Sequence, residues 1–435
     1  METSQYGVEL RSRAARHARW LSLALAAALV AGGAKSAPNN HAGDEHWVSA
    51  WGSAQMVPDG GNVLPDALWR DTTLRQLVRL SLPAHELRVR ISNVFGTTPL
   101  TVDAAAVGLA RQPGSPDELP GSARALRFNG ETSVMIPAGA EYLSDPVALD
   151  VPSGGDLAVS LHFLGEPVRQ TGHPGSRAKT FIVSGNQAMG EAWKDVQSVE
   201  RWYSLADVEV RAPRSVGALA AIGDSITDGH GVPTDSNTRW TDLLYQRMQR
   251  EHLPAMGIVN TGIGGGRLLR DGLGPNLMSR LERDVLTRAG VTHAVVLIGV
   301  NDLGNLHRNG GETPAERARL VADLEIGLKQ LVERAHAEGI CVIGGTVMPY
   351  MGSDYYRPNA ANEADRQQLN AWIRAAGNFD GVADFDAATR DPAHPDSLAK
   401  WADTGDGLHP GGDGREAMAK AFPLDALNTC KWHRP

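Results

Sequence analysis

Cysteine is scarce. The 435 residues hold two, Cys341 and Cys430, too few for a disulfide-stapled scaffold. Cys341 lies in the apolar run 340–343 and reads as a buried thiol. Export would permit a bridge to Cys430, but spacing alone leaves the pairing open. Basic runs are missing as well: no Lys/Arg-rich stretch follows residue 20, and the formal net charge is −8. Both features argue against nucleic acid or an anionic surface as partner. No two histidines stand at a spacing such as H-x-x-x-H, so neither a metal nor another cofactor is expected. Internal repeats and low-complexity tracts are absent.

Long apolar runs are also lacking. Trp20 to Ala31 covers only twelve residues, which is short for a bilayer span. Arg11, Arg13, Arg16 and Arg19 precede this run, and small residues from Gly32 to Ser36 follow it. Residues 1–36 therefore read as an export signal, cleaved after Ala34 or Ser36, with an uncleaved anchor as the alternative. A secreted or periplasmic protein follows, with no stable membrane insertion after cleavage.

What is present is a globular composition, 42% hydrophobic and 21% charged, in a chain long enough for two or three domains. In the first domain, 37–213, the pattern from about 46 to 210 has period two and is punctuated by Pro and Gly. Leu87, Val89 and Ile91 alternate with Arg88, Arg90 and Ser92; Val78, Leu80 and Leu82 share a face opposite Arg79 and Ser81. "SVMIPAG", "PVALDV" and "DLAVSLHFLG" are further strand candidates. An all-β sandwich or jelly roll is expected there.

From 214 to 435 apolar strands alternate with helical stretches. Strands are expected at 216–222, 257–260, 293–298, 340–347 and 382–385. A helix over 314–338 starts with the capping pair Thr313 and Glu316 and with Pro314 in the first position. Leu320, Leu324, Leu328 and Leu331 form its stripe, and Gly339 ends it. Two more helices are expected near 362–376 and 239–250. The alternation predicts an α/β/α sandwich around a parallel sheet.

Sites in such sheets lie beyond the carboxyl ends of the strands. There the sequence reads Gly223-Asp224-Ser225, then "NTGIGGG" (260–266), then "GVND" (299–302), and finally "DGLHP" (406–410). A serine hydroxyl needs a base to become a nucleophile. His409 can be that base, and Asp406, three residues earlier, can orient its ring. The backbone N–H of Ser225, one in the glycine loop and the Asn301 amide can stabilise an oxyanion. His230 is a rival base without a carboxylate at a fitting local spacing, since Asp228 is only two residues away. Asp224 and Asp302 are expected to brace loops. Trp47 and Trp51 read as core aromatics, with sugar stacking as the alternative. Thr227 occupies the last position of G-x-S-x-G and excludes an α/β-hydrolase elbow. Arg267 breaks a G-x-G-x-x-G dinucleotide fingerprint.

These blocks resemble the SGNH/GDSL hydrolase family. Its four signature residues map onto Ser225, Gly265, Asn301 and His409. Ile226 replaces the family's Leu and Val300 a common Thr. The resemblance spans about 215–425 and implies a flavodoxin-like sheet and ester hydrolysis. The stretches "WVSAWGSAQM" and "LRVRISNVFG" are similar to the N-terminal part of secreted bacterial members. Some of those act as arylesterases or deacetylate plant polysaccharides. The expected substrates are small-molecule or carbohydrate esters with short acyl groups. A lipase or lysophospholipase is one alternative, an inert carbohydrate-binding protein the other. The sequence leaves the oligomeric state open.

Overall fold

The structure, a computed structural model, describes residues 44–310 and 312–432; the export signal expected over 1–36 lies outside them. The described residues cluster as one compact unit. No helix among the described residues is long and apolar enough to cross a membrane.

The β-rich half is built around two large antiparallel sheets, with two further two-stranded pairs beside them. One contains Glu45–Gly52, Ala84–Ser92, Glu141–Leu143, Val147–Val151 and Leu205–Pro213. The other contains Thr72–Arg79, Ala104–Leu109, Arg124–Ala125, Asp156–Phe163, Thr180–Ser184 and Gln197–Val199. Val89, Val208 and Val210 of the first share one buried core with Leu74, Val159 and Leu161 of the second. The alternation that predicts a sandwich supplies this shared core. Trp51 is buried, with its ring edge-on to Trp202. The guanidinium groups of Arg88 and Arg211 both lie over the Trp47 ring, so both tryptophan rings are already engaged within the protein.

The other half has five parallel strands: Ala218–Gly223, Gly257–Gly262, Val291–Leu297, Cys341–Gly345 and Gly381–Ala383. Their lateral order is second, first, third, fourth, fifth, the flavodoxin-like order that the resemblance implies. The first strand is buried along its whole length, as expected for a parallel sheet covered on both faces. Pro314–Ala337 forms the long helix, with the Thr313/Glu316 capping box in place. Trp240–Arg250 and Ala360–Arg374 also match expectation; the latter starts two residues early because Asn359 caps it.

The halves share packing and polar contacts. Ala218 and Val259 of the parallel sheet belong to the core of the sandwich. Buried Arg288 donates to Asp207 at 2.8 Å and to the carbonyls of Ala206 and Ser53. At the opposite edge from the strand carboxyl ends, Cys341 is bonded to Cys430. Cys341 is buried, as expected, but as half of a disulfide rather than as a thiol, and the pairing left open by the sequence is made: Cys430 returns to it after the short helical turn Leu424–Asn428. The 89-residue separation gives a stabilisation of about 4–5 kcal/mol in the chain-entropy model. Reduction is expected to lower the thermal unfolding midpoint by several degrees, which calorimetry with and without dithiothreitol checks.

Candidate active site

The first strand ends in Gly223 because nothing larger fits. A methyl group there would lie 2.4 Å from the Leu297 carbonyl oxygen. The chain then turns directly into the helical turn Ser225–Asp228, capped by Asp224, whose carboxylate accepts from the Ile226 N–H at 3.0 Å. This turn places Ser225 just beyond the carboxyl end of a central strand, and it is what "GDS" encodes.

Ser225 Oγ lies 2.8 Å from His409 Nε2, and His409 Nδ1 lies 2.6 Å from Asp406 Oδ2. The carboxylate accepts from Nδ1–H, which leaves Nε2 to accept from the hydroxyl. Asp406 Oδ1 accepts from the backbone N–H groups of Leu408 and His409. Burial pushes the Asp406 carboxyl up, but the hydrogen bonds from the His409 backbone and ring, with the charge of that ring, outweigh it. They hold the group down at about 2. His230 donates its backbone N–H to the Ser225 carbonyl at 2.8 Å, but its ring makes no hydrogen bond to Ser225 Oγ. Its ring stacks on His409 with centroids 4.0 Å apart, and burial followed by the charge of His409 lowers its pKa. Donor atoms of His230, Asp406 and His409 lie within 4.8 Å of one another. Both ring nitrogens of His409 are, however, already engaged, by Asp406 and Ser225.

The glycine loop sits against the serine turn. A methyl group on Gly266 would lie 3.6 Å from Asp224 Cα. Asn301 Nδ2 donates to the Gly266 carbonyl at 2.8 Å, and Tyr356 donates its hydroxyl to Asn301 Oδ1 at 2.5 Å. One N–H of the Asn301 amide is thus held by the loop and the second is left over. Gly265 has φ +67° and is the one glycine of 262–266 with positive φ. A side chain there would be strained and would strike Leu273. The blocks carrying Ser225, Gly265, Asn301, Asp406 and His409 therefore meet at one edge of the sheet.

Asp302 accepts from the N–H groups of Leu268 and Leu269, the bracing role expected of it. Sequence reasoning missed Tyr356, which orients Asn301, and Arg280. The buried Arg280 donates to the carbonyls of Thr261 and Gly223 and pairs with Asp284. Neither has a local motif; only the fold brings them to the site.

Burial drives the Asp224 carboxyl up to about 7; the Ile226 N–H opposes this, and the charges of Asp302 and Asp228 reinforce it. Its Oδ2 has no hydrogen-bond partner. A raised carboxyl pKa means that the folded state keeps a proton which the unfolded chain releases near pH 4. The Asp224 contribution to stability is therefore present below about 4 and is lost as pH rises to about 7. Asp224→Asn is expected to gain stability relative to the parent across that interval. Unfolding midpoints measured from pH 4 to 8 check the sign.

A parallel sheet with a Ser–His–Asp line at its carboxyl edge is the arrangement of a hydrolase. Residues 221–417 match the GDSL-like lipase/acylhydrolase family; the C-terminal half of the chain belongs to this family, and the protein is a carboxylic ester hydrolase. Among solved structures it is similar to a GDSL-like lipase from Bacteroides thetaiotaomicron (19% identity, 49% of this chain, 89% of that one, TM-score 0.35). It is also similar to an α/β hydrolase from the metagenome of Lake Arreo, Spain (22%, 49% and 96%, 0.35). A third is a variant of an acetyl xylan esterase from Geobacillus stearothermophilus (20%, 51% and 98%, 0.35). No curated protein matches the chain.

Proposed function

We propose that the protein is an exported serine esterase that removes acetyl or other short acyl groups, including those carried on carbohydrate, through an acyl-enzyme on Ser225. The observation that carries this reading is the hydrogen-bonded line from Ser225 through His409 to Asp406. His409 takes the hydroxyl proton as Ser225 Oγ attacks the ester carbonyl. The oxyanion meets the N–H groups of Ser225 and Gly265 and the spare N–H of Asn301. As first residue of its helical turn, Ser225 has no helical carbonyl one turn back to occupy its N–H. His409 returns the proton to the departing alcohol, then activates water to release the acid and regenerate Ser225.

Short acyl groups are favoured because the sequence has no long apolar segment to wall an acyl tunnel. Export is favoured by the arginine-then-apolar pattern of residues 1–36 and is compatible with the Cys341–Cys430 bond. A series of nitrophenyl esters tests the substrate class. The highest kcat/KM is expected at about four acyl carbons or fewer, since one misfitting methylene changes the rate by about 10–200-fold. A maximum at about ten or more would make the protein a lipase. Acetate release from acetylated sugars then identifies the alcohol.

A further inference from the structure

We infer that His173, carried by the β-rich half, is a positioning residue for the oxyanion loop and acts through Asp228; this rests on the reading of Gly265 as an oxyanion donor. His173 lies in the short strand Gly172–His173, paired with Trp202–Tyr203. Its Nδ1 is 2.7 Å from the Ala54 carbonyl oxygen and its Nε2 is 2.9 Å from Asp228 Oδ1. Both ring nitrogens therefore face oxygen acceptors, and each contact needs a proton on the ring. The other oxygen of Asp228 accepts from the Gly264 N–H at 3.1 Å, immediately before Gly265. His173 and Asp228 are both buried, so this carboxylate has little water to replace a lost partner. The Trp202 ring stacks on the imidazole at 5.7 Å and fixes its plane.

The same half grips the loop from a second side. Ile263 is fully buried in a cluster with Ala54 and Met56. Met56 exchanges two backbone hydrogen bonds with Gly172, the residue next to His173. The chain segment that orients the imidazole and the one that packs on Ile263 are thus tied together. They converge on a loop that must hold the left-handed Gly265 in place. This gives the β-rich half a task in the reaction: it keeps the Gly265 N–H aimed before the tetrahedral intermediate forms. Oxyanion donors stabilise the transition state more than the ground state. A loosened loop therefore lowers kcat and spares KM.

Two short amides separate the contacts of His173. Asparagine can donate from the position of Nδ1 and keep the bond to Ala54, but cannot reach Asp228. Glutamine can donate from the position of Nε2 and keep the bond to Asp228, but leaves Ala54. Kinetics on nitrophenyl acetate and inhibition by a phenylboronic acid, which forms a tetrahedral adduct on the serine, are measured for the parent, His173→Asn, His173→Gln and Ser225→Ala. For His173→Asn, kcat is expected to fall about 10–100-fold, less than the roughly 10²–10³-fold cost of deleting a donor outright. Its KM should stay within about threefold, and boronate affinity should weaken by the same factor as kcat. His173→Gln should remain within about threefold of the parent in all three. Equal losses in both, or a larger loss in the glutamine variant, would overturn the proposal and reduce His173 to a tie through Ala54. If Ser225→Ala retains activity, the reading of the nucleophile itself fails, which is a separate result. Unfolding midpoints identify any variant that merely loses its fold. Should the asparagine variant do so, Asp228→Asn carries the test: its amide can donate to a neutral imidazole and still accept from Gly264. Near-parent kcat would support the relay, and a tenfold or larger loss in a folded variant would refute it.

Discussion

Ser225→Ala is expected to lower kcat for ester hydrolysis by about 10⁴–10⁶-fold. In the proposed mechanism the hydroxyl oxygen attacks, and no other side chain replaces it: the His230 ring is stacked on His409 and makes no hydrogen bond to Ser225 Oγ. What remains is the oxyanion pocket with a water in place of the serine, which sustains a small residual rate. Ser225 Oγ makes one side-chain hydrogen bond, to His409. Its loss removes no packing, and the unfolding midpoint should move by a degree or two at most, given about 1 kcal/mol for a single such bond. Steady-state kinetics on nitrophenyl acetate beside a melting curve separates the two effects.

Asp406→Asn is expected to lower kcat by about 10²–10⁴-fold. The carboxylate accepts three hydrogen bonds, from the ring Nδ1 and from the N–H groups of Leu408 and His409. An asparagine can satisfy the two backbone donors with its carbonyl oxygen, which turns its NH₂ toward the ring. Nδ1 must then accept, the proton moves to Nε2, and His409 can no longer receive the serine proton. The Asp406 side chain is 41% exposed, so water can partly restore the ring orientation; this sets the lower end of the range. Held at about 2 against an ordinary 3.8, the Asp406 carboxylate adds stability above about pH 4 that is lost as pH falls toward 2. The variant should lose that acid dependence, and kinetics with unfolding midpoints between pH 2 and 6 test both statements.

Local signals carried much of this. Thr313, Pro314 and Glu316 announce a helix start in four residues, and the structure begins the helix at Pro314. The five apolar runs became five parallel strands, because a strand buried on both faces has little alternative to Val, Ile, Leu and Ala. Ser225 and Asn301 were legible because each follows the carboxyl end of a buried strand within a few residues, and His409 because Asp406 stands three residues before it in the loop that leads to the helix Gly412–Ala421. The register of the glycine loop, read as five residues after Asn260, agrees with the positive φ of Gly265.

Other features had no local trace. The Cys341–Cys430 bond depends on where the C-terminal tail returns, which composition does not encode. His173 and Tyr356 reach the site from 52 residues before Ser225 and 55 after Asn301. Each looks like an ordinary polar side chain until the fold supplies its partner. The early start of the helix at Ala360 followed from an asparagine cap outside the apolar stripe.

Ser225 is the proposed nucleophile of a His409-activated pair. The most direct test of this role is labelling of the enzyme with an organophosphonate ester, followed by peptide mass spectrometry and an activity assay on the same sample. One phosphonyl group on Ser225, added in proportion to lost activity and abolished in His409→Ala, is the predicted result. Full inactivation with the adduct on another residue would contradict it.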